Sequence, residues 1–473
     1  MVALLLSIVR TKVFALILGP SGIGLLGLIN NLLNSGTTLA GMGITTAGVR
    51  LLSEAHARGE RQSIGRTRFI LFSSHVFIAL AIVAIFWIFE KPIGIHFLGD
   101  VSRVPLVVWV GVGVGLSLLA GVQLALLNGL RRLFDFARVQ VLSALLATIA
   151  GVAAVWFWGQ GAVLVFVLAV PLASLVVATW YVARLRIHKV RVGARTIARE
   201  GAGLAKLGVM FMLAQLVISA GFLALRSRIE WQYDAVALGI FEAAWLLSSV
   251  YLGAVLTAMT TDYYPRLSAL ISDDLATAAL VNDQTRVALW LCGPMCVALI
   301  GLAPVAIYVL FSAEFAGSAE VLRWLLVADV LKVMAWPLGF VLLARNDGRR
   351  YLVLQTVSVV VMVAVAWLGL AGMGLVTASL AVLAMYCVFL PLGRAFVRRH
   401  IAFDWDRAVR VDAAISLSAA AITAAVATLH SVAGGVVGVA LAAALAWRSW
   451  CRLRKLIGTG GWRGILRSDS PTS

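Results

Sequence analysis

Residues 104–130 read VPLVVWVGVGVGLSLLAGVQLALLNGL, and Arg131 and Arg132 follow immediately. The stretch contains no charged side chain and exceeds the roughly 20 predominantly apolar residues that a transmembrane helix needs. It is therefore predicted to cross a membrane as a helix and to end in a basic loop. The glycines at its centre have no strand before them, so they indicate close helix packing and not a nucleotide-binding turn.

The rest of the chain repeats this pattern. Of its 473 residues, 62% are hydrophobic and 13% are charged, whereas soluble domains average about 25% charged residues. Fourteen apolar segments can be delimited, at residues 2–19, 22–49, 69–89, 104–130, 139–158, 161–183, 207–231, 236–265, 287–311, 321–344, 351–370, 374–397, 411–430 and 434–450. We therefore predict an all-α polytopic membrane protein with about fourteen transmembrane helices, numbered here as spans 1 to 14. A tight turn at Gly19-Pro-Ser-Gly22 is predicted to separate spans 1 and 2.

The distribution of lysine and arginine predicts the orientation. If both termini lie on one side, the loops and tail on that side hold 31 of the 39 lysines and arginines, and the opposite loops hold 3. The positive-inside rule then places both termini in the cytoplasm. This asymmetry explains the net charge of +18, which therefore does not indicate nucleic-acid binding.

A weak internal repeat relates the two halves of the chain. Ile8-Val-Arg-Thr-Lys-Val13 matches Ala224-Leu-Arg-Ser-Arg-Ile229 at an offset of 216 residues. Six spans separate these partners, so the two halves have the same orientation and form a parallel repeat.

The repeat predicts the domain organisation. Spans 1–6 form an N-terminal lobe at residues 1–190, and spans 7–12 form a second lobe at residues 191–400. The remaining residues, 401–473, contribute two additional spans and a basic cytoplasmic tail. Two matching lobes are typical of transporters, in which they enclose a central cavity.

Charged residues inside spans are the first candidates for function, because burying a charge in hydrocarbon is costly. The repeat predicts that Arg10 and Lys12 of span 1 face Arg226 and Arg228 of span 7 across the central axis. Such a cluster could hold a phosphate or pyrophosphate group. The alternative is that these side chains extend to the lipid headgroups, which is easier for Arg228 than for Arg10.

Three further charges are candidates for ion coupling. Glu242 in span 8 has no evident partner on its own helix, so it could carry a proton, or it could face water near the helix end. Asp329 and Lys332 in span 10 are three residues apart and share a helix face. They either neutralise each other or bind a proton or cation.

Side-chain amides within spans are candidates for a sugar path. Asn30 and Asn34 share a face of span 2, and Gln123 and Gln215 lie in spans 4 and 7. Hydrogen bonding between helices would explain the same residues without any role in transport.

The sequence contains no pattern typical of an enzyme or of a bound cofactor. Cys292 and Cys296 are four residues apart but lack the further ligands that a metal site requires, so they are predicted to be buried small apolar residues. No Walker motif, zinc-protease motif or nucleophile–base pair is present. We expect no cofactor and no metal, and we expect transport driven by an ion or substrate gradient.

Several stretches resemble the Wzx-type O-antigen and lipid III translocase family, within the multidrug/oligosaccharidyl-lipid/polysaccharide exporter superfamily. The most specific is Leu18-Gly-Pro-Ser-Gly-Ile-Gly-Leu-Leu-Gly27, followed by Gly41-Met-Gly-Ile44 and Gly48-Val-Arg50. Ala328-Asp-Val-Leu-Lys-Val333 resembles the centre of the family's span 10, and Tyr264-Pro-Arg-Leu-Ser268 resembles the end of its span 8.

The resemblance implies a MATE-like fold and a flippase of the bacterial inner membrane. Its substrate would be an undecaprenyl-pyrophosphate-linked oligosaccharide, such as an O-antigen unit, and its partners would be a polysaccharide polymerase and chain-length machinery. Arg10 falls where related flippases carry a cavity arginine in span 1. The resemblance also implies a cationic cavity and a lateral gate between spans 1 and 8.

Two other functions stay open at this stage. A cation-coupled multidrug exporter of the same superfamily would be expected to have an acidic lobe, whereas the charges within these spans are mostly basic. A membrane polymerase or ligase that acts on lipid-linked glycan usually needs a large outer loop, and the longest outer loop here, about 90–103, is short.

Overall fold

The computed structural model describes residues 2–41, 44–98, 103–185 and 193–458. Within these ranges the chain forms helices and no β-strand. In chain order they are α1 (Val2–Gly41), α2 (Ile44–Ala57), α3 (Arg61–Ile88), α4 (Glu90–Leu98), α5 (Val104–Gly129), α6 (Leu133–Trp158), α7 (Val163–Ala183), α8 (Ala194–Gln232), α9 (Ala235–Leu270), α10 (Asp274–Gly301), α11 (Ala303–Leu310), α12 (Ser318–Ala344), α13 (Gly348–Met373), α14 (Val376–Val397), α15 (Arg407–Leu429) and α16 (Ser431–Gly458).

The helices confirm the predicted all-α membrane fold. Thirteen of them are long and apolar enough to cross a membrane, one fewer than the fourteen spans predicted. The difference arises because α1 includes both span 1 and span 2. An unbroken helix of this length would extend about 60 Å, twice the thickness of the hydrocarbon layer.

Gly19 interrupts α1, so the 40 residues do not form one continuous helix. Its φ of 63° and ψ of −171° are non-helical, and glycine adopts such a conformation readily because it has no Cβ. Pro20 follows, and proline is favoured in the first turn of a helix. The break leaves helical segments at residues 2–18 and 20–41, about 26 Å and 33 Å long. The predicted turn at Gly19–Gly22 is therefore reduced to one residue.

Several predicted loops are shorter than the hydropathy pattern suggested. The loop predicted at 266–286 is reduced to residues 271–273, because α9 continues to Leu270 and α10 begins at Asp274. Asp273 caps α10, and its Oδ1 accepts hydrogen bonds of 3.0 Å from the backbone of Leu275 and Ala276. The predicted outer loop at 90–103 contains the short helix α4. Hydropathy marks only the apolar part of a helix, so it does not detect polar residues that continue or form one.

Close contacts divide the chain into two compact units. Unit 1 contains Met1–Ala243, Tyr308–Ala316 and Gly348–Ala378, and unit 2 contains Ala244–Ile307, Gly317–Asp347 and Ser379–Ser473. The lobe boundaries predicted at 190 and 400 stay a prediction.

Each unit is a helix bundle with close contacts at small residues. In unit 1, α5 packs against α3 and α7, α6 packs against α1 and α7, and α8 packs against α13. In unit 2, α10 packs against α12, α15 and α16. Gly301 of α10 comes close to the backbone of Gly434 and Gly438 in α16, as expected for helices that approach closely in a membrane.

Candidate functional site

The most deeply buried of the predicted cations forms an ion pair in unit 1. Arg226 of α8 is 4% exposed, and Glu242 of α9 is 8% exposed. The Arg226 Nε donates a hydrogen bond of 2.5 Å to the Glu242 Oε1. Glu242, which has no evident partner on its own helix, thus obtains one from the preceding helix. A buried arginine and a buried carboxylate are tolerated together because each offsets the charge of the other.

The surroundings of this pair hold both side chains in place. The Arg226 Nη1 donates to the carbonyl oxygen of Phe222 at 3.3 Å, and the rings of Phe222 and Phe241 lie 5.9 Å from its guanidinium carbon. Gly27 of α1 packs directly on the Glu242 carboxyl group, where a Cβ would overlap it. The pair is therefore enclosed by α1, α8 and α9.

Arg228 lies on a different side of α8. Its guanidinium carbon is 4.5 Å from the ring centroid of Trp231 and 5.7 Å from that of Trp367 in α13, which is typical of cation–π contacts. Arg228 is 9% exposed, and its Nε and Nη1 donate no hydrogen bond among the described residues. Two buried donors are thus left for an acceptor that the described residues do not supply.

The two cations of span 1 also contact different neighbours in unit 1. The Arg10 side chain packs near Gly151 of α6, beside Phe14. The Lys12 Nζ donates to the carbonyl oxygen of Val309 in α11. Lys12 is therefore bound to a backbone carbonyl group of α11, whereas Arg10 packs against α6.

The contacts described above give the four predicted cations different neighbours. Residues two apart on an α-helix are about 200° apart around its axis, so the two side chains of an R-x-R pair leave the helix in different directions. Arg226 and Arg228 accordingly contact α9 and α13. The roles of Arg10, Lys12, Arg226 and Arg228 in pyrophosphate binding stay predictions.

The predicted sugar-path amides differ in exposure. Asn30, Asn34 and Gln215 are exposed, whereas Gln123 is 5% exposed and lies inside unit 1. Asn30 and Asn34 follow Gly27 by three and seven residues, so all three share one face of α1. The exposed amides of α1 are thus on the face that contacts the Arg226–Glu242 pair.

The second pair of predicted charges lies in unit 2. Asp329 is 3% exposed, and its Oδ2 accepts a hydrogen bond of 2.6 Å from the Ser248 hydroxyl group. The Lys332 Nζ is 3.7 Å from the Asp329 Oδ1, and the Lys332 side chain is 28% exposed. The two residues form an ion pair on one face of α12, and a role in binding a proton or cation stays a prediction. Ser248 was not foreseen, because 81 residues separate it from Asp329.

One further ion pair in unit 1 was missed by the sequence reasoning. Arg103, just before α5, donates to Glu230 of α8 at 2.5 Å. Arg103 belongs to the predicted outer loop at about 90–103. No local sequence pattern connects it to Glu230, which is 127 positions away.

Comparison with known proteins identifies the family. Residues 13–320 match the family model described as polysaccharide biosynthesis protein, which is well over half of the chain. The chain belongs to the polysaccharide biosynthesis protein family. Among similar proteins, the lipid III flippase of Escherichia coli (strain K12) is 24% identical over 397 residues, which cover 80% of this chain and 91% of the flippase.

Solved structures share the fold of this polysaccharide biosynthesis protein. The lipid II flippase MurJ, in an inward closed conformation, superposes with a TM-score of 0.71 at 14% identity, covering 96% of this chain and 98% of MurJ. An inward-facing MATE-family multidrug resistance transporter of the MOP superfamily gives a TM-score of 0.68 at 15% identity, covering 85% and 95% of the two chains. The predicted family resemblance is confirmed, and the similar proteins are named as flippases and as a multidrug resistance transporter, not as enzymes.

Proposed function

We propose that this protein flips an undecaprenyl-pyrophosphate-linked oligosaccharide, an O-antigen unit or a related surface polysaccharide unit, across the bacterial inner membrane. The substrate would move from the cytoplasmic to the periplasmic face by alternating access. Both termini would lie in the cytoplasm, which the asymmetry of lysines and arginines favours. A polysaccharide polymerase and chain-length machinery are the protein partners that this function implies.

The observation that carries the proposal is a set of buried cations in a helical membrane protein of the polysaccharide biosynthesis family. Arg226 and Arg228 are at least nine-tenths buried within α8, and Arg10 is half-buried within α1. Charges are rare at such positions and mark substrate paths. Guanidinium groups bind phosphate oxygens with paired hydrogen bonds, so a diphosphate is the substrate group that they fit best.

The exposed amides support a sugar path on the same unit. Asn30, Asn34 and Gln215 are exposed on helices long and apolar enough to cross the membrane. Amides lose hydrogen bonds in hydrocarbon, so these residues are better suited to a water-filled path that sugar hydroxyl groups can follow. The lipid tail would remain in the bilayer.

Removing single buried cations tests the function. In a strain that lacks its own flippase, Arg10→Ala and Arg228→Ala should each reduce surface glycan about tenfold or more. A hydrogen bond to a charged group contributes roughly 1.5–3 kcal/mol, and 1.4 kcal/mol is a factor of ten. Surface glycan would be measured at matched levels of membrane-inserted protein.

Arg266→Ala is the matched control, because this arginine is partly exposed and pairs with Asp262 on its own helix, at 3.0 Å. The control should retain wild-type glycan levels. Normal glycan in both Arg10→Ala and Arg228→Ala would contradict the proposed cationic path. Drug resistance in place of glycan export would favour the multidrug exporter.

The Asp329–Lys332 pair is proposed as the coupling site. Asp329→Asn removes the charge but keeps an oxygen that can accept the Ser248 hydrogen bond. In proteoliposomes, we expect this variant to move a lipid-linked oligosaccharide down its gradient without responding to an imposed proton or sodium gradient. Asp262→Asn, at an exposed carboxylate, should respond as the wild type does. An unchanged response in Asp329→Asn would exclude Asp329 as the coupling group.

A further inference from the structure

A buried carboxylate in unit 2 collects three hydrogen-bond donors from two neighbouring helices. Asp412 of α15 is 3% exposed. Its Oδ1 accepts from the Arg448 Nη2 at 2.6 Å, and its Oδ2 accepts from the Arg452 Nη1 at 3.1 Å and from the Trp290 Nε1 at 2.9 Å. These hydrogen bonds join α10, α15 and α16, and they orient the guanidinium groups of Arg448 and Arg452.

A third arginine completes a basic cluster around the same indole ring. The guanidinium carbon of Arg286 is 5.3 Å from the ring centroid of Trp290, and that of Arg452 is 6.0 Å from it. The Arg286 Nε is buried and donates no hydrogen bond among the described residues. Its ion-pair partner, Asp283, is 3.6 Å away and 70% exposed, so solvent screens that pair strongly. Asp406 and Arg266, one acidic and one basic, also lie near Asp283 and offset each other.

The charges of this cluster do not balance. Arg448 and Arg452 share one buried carboxylate, and Arg286 has only a weak, screened partner. The three side chains are 26–35% exposed, so an external anion can reach them. The cluster therefore retains positive charge and at least one donor for a further acceptor.

The position of the cluster indicates which anion can reach it. Trp447 and Trp450, beside Arg448 on α16, are 72% and 62% exposed, and exposed tryptophans are enriched where a membrane meets water. The cluster also lies near the start of α15 and the end of α16, on the side where lysine and arginine concentrate. Basic pockets between transmembrane helices on this side bind lipid head groups.

We infer that Arg286, Arg448 and Arg452 form a binding site for the phosphate head group of an anionic phospholipid, where the middle of α10 meets the start of α15 and the end of α16. The guanidinium groups hold the phosphodiester, and Asp412 and Trp290 hold two of them in position. The site is distinct from the residues proposed for flipping, which lie in unit 1 and around Asp329. It would fix the two C-terminal spans to the inner leaflet.

Lipid binding to the purified full-length protein tests the inference. In detergent, phosphatidylglycerol should raise the melting temperature of the wild type and should be retained in native mass spectra, whereas phosphatidylcholine should do neither. Arg286→Gln should weaken phosphatidylglycerol binding about fivefold, because one arginine near an anionic lipid surface contributes about 1 kcal/mol. Arg286 lies outside the Asp412 hydrogen-bond network, so this variant should fold normally.

Arg138→Gln is the control, because Arg138 of α6 also pairs with an aspartate three residues before it on its own helix, Asp135 at 3.6 Å. It should bind phosphatidylglycerol as the wild type does. Equal binding by Arg286→Gln and Arg138→Gln would overturn the inference. Stabilisation by inorganic phosphate equal to that by phosphatidylglycerol would also overturn it, because it would indicate a small-anion site. Failure of the flipping proposal would leave each of these results unchanged.

Discussion

Replacing Glu242 with alanine is expected to lower the free energy of unfolding by about 3–5 kcal/mol, because Arg226 would remain buried without its carboxylate. Arg226 is 4% exposed, and Glu242 is the partner of its Nε at 2.5 Å. Arg226→Ala should be destabilising for the converse reason. Thermal and denaturant unfolding of the purified protein in detergent measures both effects.

A double variant separates stability from transport. Replacing the pair by Arg226→Met and Glu242→Leu removes both charges and keeps apolar volume, and such replacements of buried ion pairs are often neutral or stabilising. We expect this variant to unfold near the wild-type temperature but to export no surface glycan. Export by a stable, uncharged double variant would contradict a role for Arg226 in substrate binding.

The control for the single variants is Asp262→Ala. Asp262 also pairs with an arginine, Arg266, but its side chain is 70% exposed. Exposed pairs contribute about 0–1 kcal/mol, so this substitution should change stability little. If Glu242→Ala were no more destabilising than Asp262→Ala, the buried ion pair would contribute nothing to the fold.

The position of the Arg226–Glu242 pair could have been predicted from the sequence. Only residues 233 and 234 join α8 to α9, so the residues on either side of this tight connection lie close together. Arg226 lies six residues before the end of α8, and Glu242 lies seven residues after the start of α9. Residues at nearly equal distances from such a connection are neighbours. Searching for a partner of Glu242 on its own helix alone missed this relation.

The membrane helices themselves could be predicted because local sequence determines them. A segment in hydrocarbon must satisfy its backbone hydrogen bonds internally, so every long apolar run is a helix. Polar segments carry no such constraint. Residues 274–286 could be helix or loop by hydropathy, and they form the first turns of α10. Asp273, a favoured N-cap residue, was the signal that marked this start.

Contacts between distant segments could not be predicted. Ser248 bonds to Asp329 across 81 residues, and Trp290 bonds to Asp412 across 122 residues. No periodicity or spacing connects such positions, because helix packing and not chain distance brings them together. The internal repeat related positions of similar sequence, but it did not predict the direction in which each side chain points.

Gly239 is expected to be the glycine whose replacement disturbs unit 1 most. A Cβ at this position would overlap the backbone carbonyl group of Pro20, and one at Gly24 would lie 2.5 Å from the carbonyl oxygen of Ala235. The second segment of α1 and the start of α9 thus approach each other at two glycines, as small residues allow in membranes. Because the obstacle is backbone, no side-chain rotation can relieve the overlap.

We therefore expect Gly239→Val to lower the free energy of unfolding by about 3 kcal/mol, near the upper end for overpacked sites, and Gly239→Ala to lower it less. Because Gly27 also packs on Glu242, separating these helices would expose the Arg226–Glu242 pair and reduce glycan export as well. Gly253→Ala, in the same helix, is the control, since a Cβ there meets no described atom within 4 Å. Melting temperatures and surface glycan measure the two effects. Equal melting temperatures for Gly239→Val and Gly253→Ala would show that α1 and α9 can separate at Gly239 without loss of stability. The enclosure of the Arg226–Glu242 pair would then not depend on this close contact.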